Sequence, residues 1–104
     1  MARKDMTMEG ARLLLVDDEA DFVDVMMKRL KKRKVEVWGA NSADEAFAVL
    51  KEHHLDVVIL DVKMPGTDGI ETLRKLKAEH PLVEVIMLTG HATVESAIEG
   101  MRLG

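Results

Sequence analysis

Cysteine is missing from the chain, which excludes disulfides and thiol chemistry and fits a reducing compartment. Aromatic residues are nearly missing too: one Trp, two Phe and no Tyr leave a core to be built from Leu, Val, Ile, Met and Ala. No apolar run approaches the roughly 18 residues that a membrane span needs. Residues 1–12 also lack the apolar segment of a signal peptide, so a cytoplasmic protein that does not engage membranes is expected. An excess of positive charge is absent as well. The formal charge is -4, which gives no general attraction to nucleic acid, and no direct binding of nucleic acid by this segment is expected.

What remains is a globular composition, 47% hydrophobic beside 33% charged, in a length of 104 residues that suits one domain with one modest core. Residues 1–10 are polar and irregular and read as a disordered leader or remnant; residues 11–104 carry the domain. Arg12-Leu13-Leu14-Leu15-Val16 predicts a strand ending at Asp17-Asp18-Glu19. A helix follows from Ala20, with Ala20, Val23, Met27 and Leu30 on one face and a basic run from Lys28 to Lys34 at its end. That run complements the helix dipole and is read as a solvated helix end. Val35 to Trp38 alternates as an edge strand closed by Gly39, and Ser42 with Glu45 forms a capping box for the next helix. The helix ends near His53-His54, a pair whose side chains point about 100° apart and so do not share a metal.

Val57-Val58-Ile59-Leu60 is aliphatic without alternation, the pattern of a strand buried on both faces, and it delivers Asp61 onto the turn Met64-Pro65-Gly66. Asp68 caps a third helix with Ile70, Leu73 and Leu76 stepping by three until His80-Pro81. Val85 to Leu88 predicts a further buried strand ending in Thr89-Gly90-His91, and Thr93 opens a last helix with Val94, Ala97, Ile98 and Met101 at helical spacing. Strands alternating with helices predict an α/β fold with a doubly wound parallel sheet, in which a strand order of 2-1-3-4 would make the first and third strands neighbours. In that order Asp17, Asp18 and Asp61 meet at one switch point on the carboxyl edge. Two carboxylates about 5 Å apart repel by roughly 3 kcal/mol at an effective dielectric of 20, and a hard divalent cation, Mg²⁺, resolves the conflict.

The motifs Leu-Val-Asp17-Asp18-Glu, Leu-Asp61-Val-Lys-Met-Pro-Gly-Thr-Asp-Gly and Met-Leu-Thr89-Gly-His resemble the receiver domain of two-component response regulators, with its flavodoxin-like fold. The resemblance implies that Asp61 is the phosphoacceptor. It further implies that Asp18, Asp61 and the Lys63 carbonyl ligate Mg²⁺, that Asp17 supports the metal through water, and that Thr89 is the switch hydroxyl. The implied partners are a histidine kinase or phosphotransfer protein as donor and an output domain or protein as receiver of the signal. The implied role is a phosphorelay module rather than an enzyme.

Against the family pattern, a fifth strand with its terminal lysine and a fifth helix are missing, so the domain is expected to be incomplete at its C-terminus. Self-association through the exposed fourth strand and the last helix is expected from that gap. Two other functions stand beside the signalling one. An Mg²⁺-dependent aspartyl-phosphate phosphohydrolase also uses an aspartate nucleophile, although it wants a second Asp where Lys63 stands. A fragment acting only as an interaction or dimerisation unit is the third.

Overall fold

A computed structural model describes residues 10–61, 64 and 68–88. Within them the order is β1 (Arg12–Val16), α1 (Ala20–Lys32), β2 (Glu36–Ala40), α2 (Ala43–Glu52), β3 (Val57–Asp61), α3 (Gly69–Glu79) and β4 (Glu84–Leu88). The four strands form one parallel sheet in the order β2-β1-β3-β4, as the sequence pattern predicts. Thr89 and the predicted last helix lie outside the described residues.

Helices cover both faces of the sheet, which is why Leu13–Val16 of β1 and Val57–Leu60 of β3 are aliphatic without alternation. On one face Leu13, Leu15, Val37, Val57 and Ile59 pack against Val23, Met26 and Leu30 of α1. On the other, Leu14, Val16, Val58 and Leu60 pack against Ala46 and Leu50 of α2 and Leu76 of α3. Each fully buried Leu or Ile adds roughly 1.5–3 kcal/mol through its removal from water.

Several elements differ from the sequence-based expectation, each for a local reason. The buried stripe of α1 includes Met26, while Met27 is half-buried and Ala20 exposed. Gly39 does not close β2 but lies inside it. A Cβ there would sit 2.5 Å from Val23 Cγ1 and 2.7 Å from Met27 Sδ, so the missing side chain lets α1 settle onto the strand. In α3 the inward face is Gly69, Thr72 and Leu76, and Ile70 is 55% exposed. A step of three drifts off a helix of 3.6 residues per turn, which carries Ile70 outward. β4 is half-buried rather than buried, with β3 as its partner among the described residues.

The helix caps follow the sequence more closely. Ser42 Oγ accepts from Glu45 N at 3.1 Å, and Glu45 Oε1 returns a bond by accepting from Asn41 N at 2.8 Å, one residue before the capping Ser. Asp68 Oδ1 accepts from Ile70 N and Glu71 N at 3.0 and 3.2 Å, satisfying two first-turn donors of α3. Helix α1 closes differently. Lys34 N donates to Lys31 O and Val35 N to Leu30 O at 3.0 and 3.1 Å, a Schellman closure whose left-handed residue is Lys34, with φ 63°.

At the starting edge of the sheet, Arg12 ties three segments together. Its guanidinium pairs with Glu36 at 2.8 Å and lies 4.9 Å from the Trp38 ring centre, and its backbone N donates to Asp56 Oδ2 at 2.9 Å. Trp38 in turn stacks on His53, with ring centres 4.7 Å apart. The imidazole is thus used in packing.

Candidate functional site

The site is built by register. Val16 pairs with Leu60 and with Ala40, so the residues that follow on the three strands, Asp17, Asp61 and Asn41, come out side by side at the carboxyl edge. Such an edge, where the first and third strands part their connections to opposite faces, is where open α/β sheets hold ligands.

Asp17 is fixed by the chain around it. Its backbone N donates to Ala40 O at 3.0 Å, extending the ladder by one rung, and its carbonyl accepts from Asn41 Nδ2 at 3.0 Å. Its Oδ1 accepts from Glu19 N at 2.9 Å, a local turn that also sets the start of α1, where Glu19 supplies no side-chain cap of its own. The residue is only 2% exposed. A carboxylate so buried requires compensation by hydrogen bonds or a cation. Asp18 is exposed beside it, and Asp61, the last residue of β3, is half-buried.

The structure brings the three predicted acids together. Ligand oxygens of Asp17, Asp18 and Asp61 all lie within 4.8 Å of one another, a group able to hold a metal ion. At that separation mutual repulsion is of the order of 3 kcal/mol per pair at an effective dielectric of 20, and a cation turns it into attraction. An all-carboxylate set suits a hard cation with oxygen preference rather than a thiophilic or imidazole-seeking metal. The other two predicted site residues, Lys63 and Thr89, lie outside the described residues. Asn41 was not singled out from sequence. The signal was present in its position, one residue past the end of the strand that neighbours Asp17, but it becomes readable only once the strand order is known.

Comparison with known proteins decides the family. The model for the response regulator receiver domain matches residues 13–104. The chain belongs to this family. Among relatives of the receiver domain, the transcriptional regulatory protein ZraR of Escherichia coli (strain K12) is 33% identical over 99 residues, covering 95% of this chain and 22% of ZraR. The chain therefore spans about a fifth of the length of that curated relative. Among solved structures, the response regulator TrrA of Thermotoga maritima in complex with Mg²⁺-BeF superposes with a TM-score of 0.69 at 28% identity, covering 86% of this chain and 78% of that one. TrrA bound to the histidine kinase ThkA gives a TM-score of 0.69 at 30% identity, over 77% of this chain and 69% of that one. Parallel sheet, strand order and position of the acidic trio all accord with this receiver fold. Among the described residues no helix is long and apolar enough to cross a membrane.

Proposed function

We propose that the receiver domain, residues 11–104, accepts a phosphoryl group on Asp61 with Mg²⁺ held by Asp17, Asp18 and Asp61. The gathering of those three carboxylates within 4.8 Å at the end of β1 and β3 carries this reading. Family membership supports it, as does the Mg²⁺-BeF complex of TrrA. The bound cation would supply neutralisation of charge on the phosphoryl oxygens. Asp61, at the tip of a strand whose other residues are buried, presents its carboxylate from a rigid base. One of its oxygens attacks phosphorus in line, the bond from phosphorus to the donor breaks, and the donor leaves with the electron pair and takes up a proton. Asp17 is held by Glu19 N and Asn41, so its oxygens are placed before any cation arrives.

The finer assignments belong to the same proposal. The Lys63 carbonyl completes the oxygen set and the Thr89 hydroxyl donates to the added phosphoryl group; both rest on the family motif. A histidine kinase is the donor, by analogy with the ThkA complex of TrrA, and an output domain or protein receives the conformational change. The domain is a cytoplasmic signalling module rather than a turnover enzyme, and it pairs with a second copy along β4. Exposure to acetyl phosphate and Mg²⁺, followed by intact mass measurement, tests the central step. A phosphoryl adduct that forms only with Mg²⁺ and is lost in Asp61→Asn is expected. An adduct that persists in Asp61→Asn contradicts the assignment.

A further inference from the structure

Parallel strands exchange hydrogen bonds in an even series, and the series between β1 and β2 continues one rung past Val16 and Ala40, with Asp17 N donating to Ala40 O at 3.0 Å. A further rung would bring the N–H of Ser42 to the Asp17 carbonyl. The chain has by then left the sheet, because Ser42 is the cap of α2 and its Oγ accepts from Glu45 N. The side chain of Asn41 takes over that rung, with Nδ2 donating to Asp17 O at 3.0 Å. The partner fixes which end of the carboxamide faces it, since a carbonyl only accepts and the amide nitrogen is the end that donates.

The oxygen so held belongs to the peptide that joins Asp17 to Asp18. A peptide unit is planar, so fixing its oxygen also fixes the direction in which the Asp18 Cα leaves the strand. Asp17 has a restraint on its own carboxylate, the bond from Glu19 N, and is nearly fully buried. Asp18 is exposed, and its aim follows the direction its backbone gives it.

Asn41 is anchored in turn. Its backbone N donates to Glu45 Oε1 at 2.8 Å, and the N–H of Glu45 is taken by the Ser42 cap at 3.1 Å. A line of hydrogen bonds thus runs from the first turn of α2 through Asn41 to the peptide that carries Asp18. We propose that Asn41 is a positioning residue for the metal centre: anchored by Glu45, it orients the Asp17–Asp18 peptide and with it the Asp18 carboxylate. This rests on the reading of Asp17, Asp18 and Asp61 as an Mg²⁺ site. Neither Asn41 nor Glu45 supplies a ligand; both act through the backbone that presents one.

Calorimetric titration of the 104-residue chain with MgCl₂, in about 150 mM KCl so that exposed charges are screened, tests this. Asn41→Ala should weaken binding about three- to fivefold, the worth of one hydrogen bond. In an Asp18→Ala background the same change should cost less than about twofold, because the carboxylate it orients is gone. Glu45→Ala should weaken binding about two- to threefold, whereas Glu45→Gln, which loses the same charge but keeps an acceptor oxygen, should return it to the parent value. Ser42→Ala strips the cap of α2 and leaves both bonds of Asn41 in place, so it should lower the melting midpoint without changing Mg²⁺ affinity. A merely structural Asn41 would move affinity in step with helix stability. Asn41→Ala affinity equal to that of the parent, an equal loss in the Asp18→Ala background, no recovery in Glu45→Gln, or a loss in Ser42→Ala as large as in Asn41→Ala overturns the proposal. Unchanged affinity in Asp18→Ala alone removes the metal reading itself and the proposal with it, an outcome distinct from failure of the Asn41 variants.

Discussion

Asp17 and Asp18 are neighbours in sequence with different environments, and the difference has consequences for binding. Asp17 is buried and clamped by Glu19 N and Asn41, whereas Asp18 is exposed and contributes chiefly charge. Under the proposed Mg²⁺ site, removing either carboxylate leaves fewer ligands and less negative charge for the cation. Asp18→Ala should weaken Mg²⁺ binding by about tenfold or more, equivalent to ~1.4 kcal/mol, in a calorimetric titration. Asn41→Ala removes no ligand and should lower affinity less, by loosening the hold on Asp17. Affinity unchanged in Asp18→Ala would remove Asp18 from the metal site.

At the scale of elements, caps and close contacts set the stability. Asp68 satisfies two backbone donors of α3, so Asp68→Ala should cost about 1 kcal/mol, seen as a drop of roughly 4–8 °C in melting midpoint. Gly39→Ala places a methyl group against Val23 and Met27 and should destabilise by about 1–3 kcal/mol in urea titration. Lys34→Gly should stabilise by about 1 kcal/mol through relief of the left-handed lysine. These three positions show what was legible in the sequence. Asp68 was read correctly, because a capping side chain acts within its own few residues. Gly39 was misplaced at the end of β2, because the reason for a glycine there lies on α1, in contact with Val23 and Met27 rather than in local pattern. Ile70 was placed inward for a related reason: a step of three is a local pattern, and the sheet it must face is not. The buried run of β3 and the acid at its end were legible, since continuous aliphatic character needs no partner to be recognised.

For the whole molecule, the parallel sheet converts four separate strand ends into one edge, and the order β2-β1-β3-β4 makes neighbours of acids 44 positions apart, Asp17 and Asp61. The alternation of strands and helices made the parallel sheet readable, whereas 2-1-3-4 was one arrangement of it, and the meeting of the three acids depended on that order. The state of association was not readable, because it depends on surfaces that pattern does not reveal. The proposed pairing along β4 predicts a concentration-dependent dimer in sedimentation equilibrium, and a strictly monomeric species over the whole concentration series would reject it. The central claim is that the fold makes Asp61, and neither of its acidic neighbours, the nucleophile. Its most direct test is chemical: phosphorylate with acetyl phosphate and Mg²⁺, reduce the acyl phosphate with borohydride, and locate the resulting homoserine by peptide mass spectrometry. The account predicts homoserine at position 61 alone; homoserine at position 17 or 18, or at no position, would contradict it.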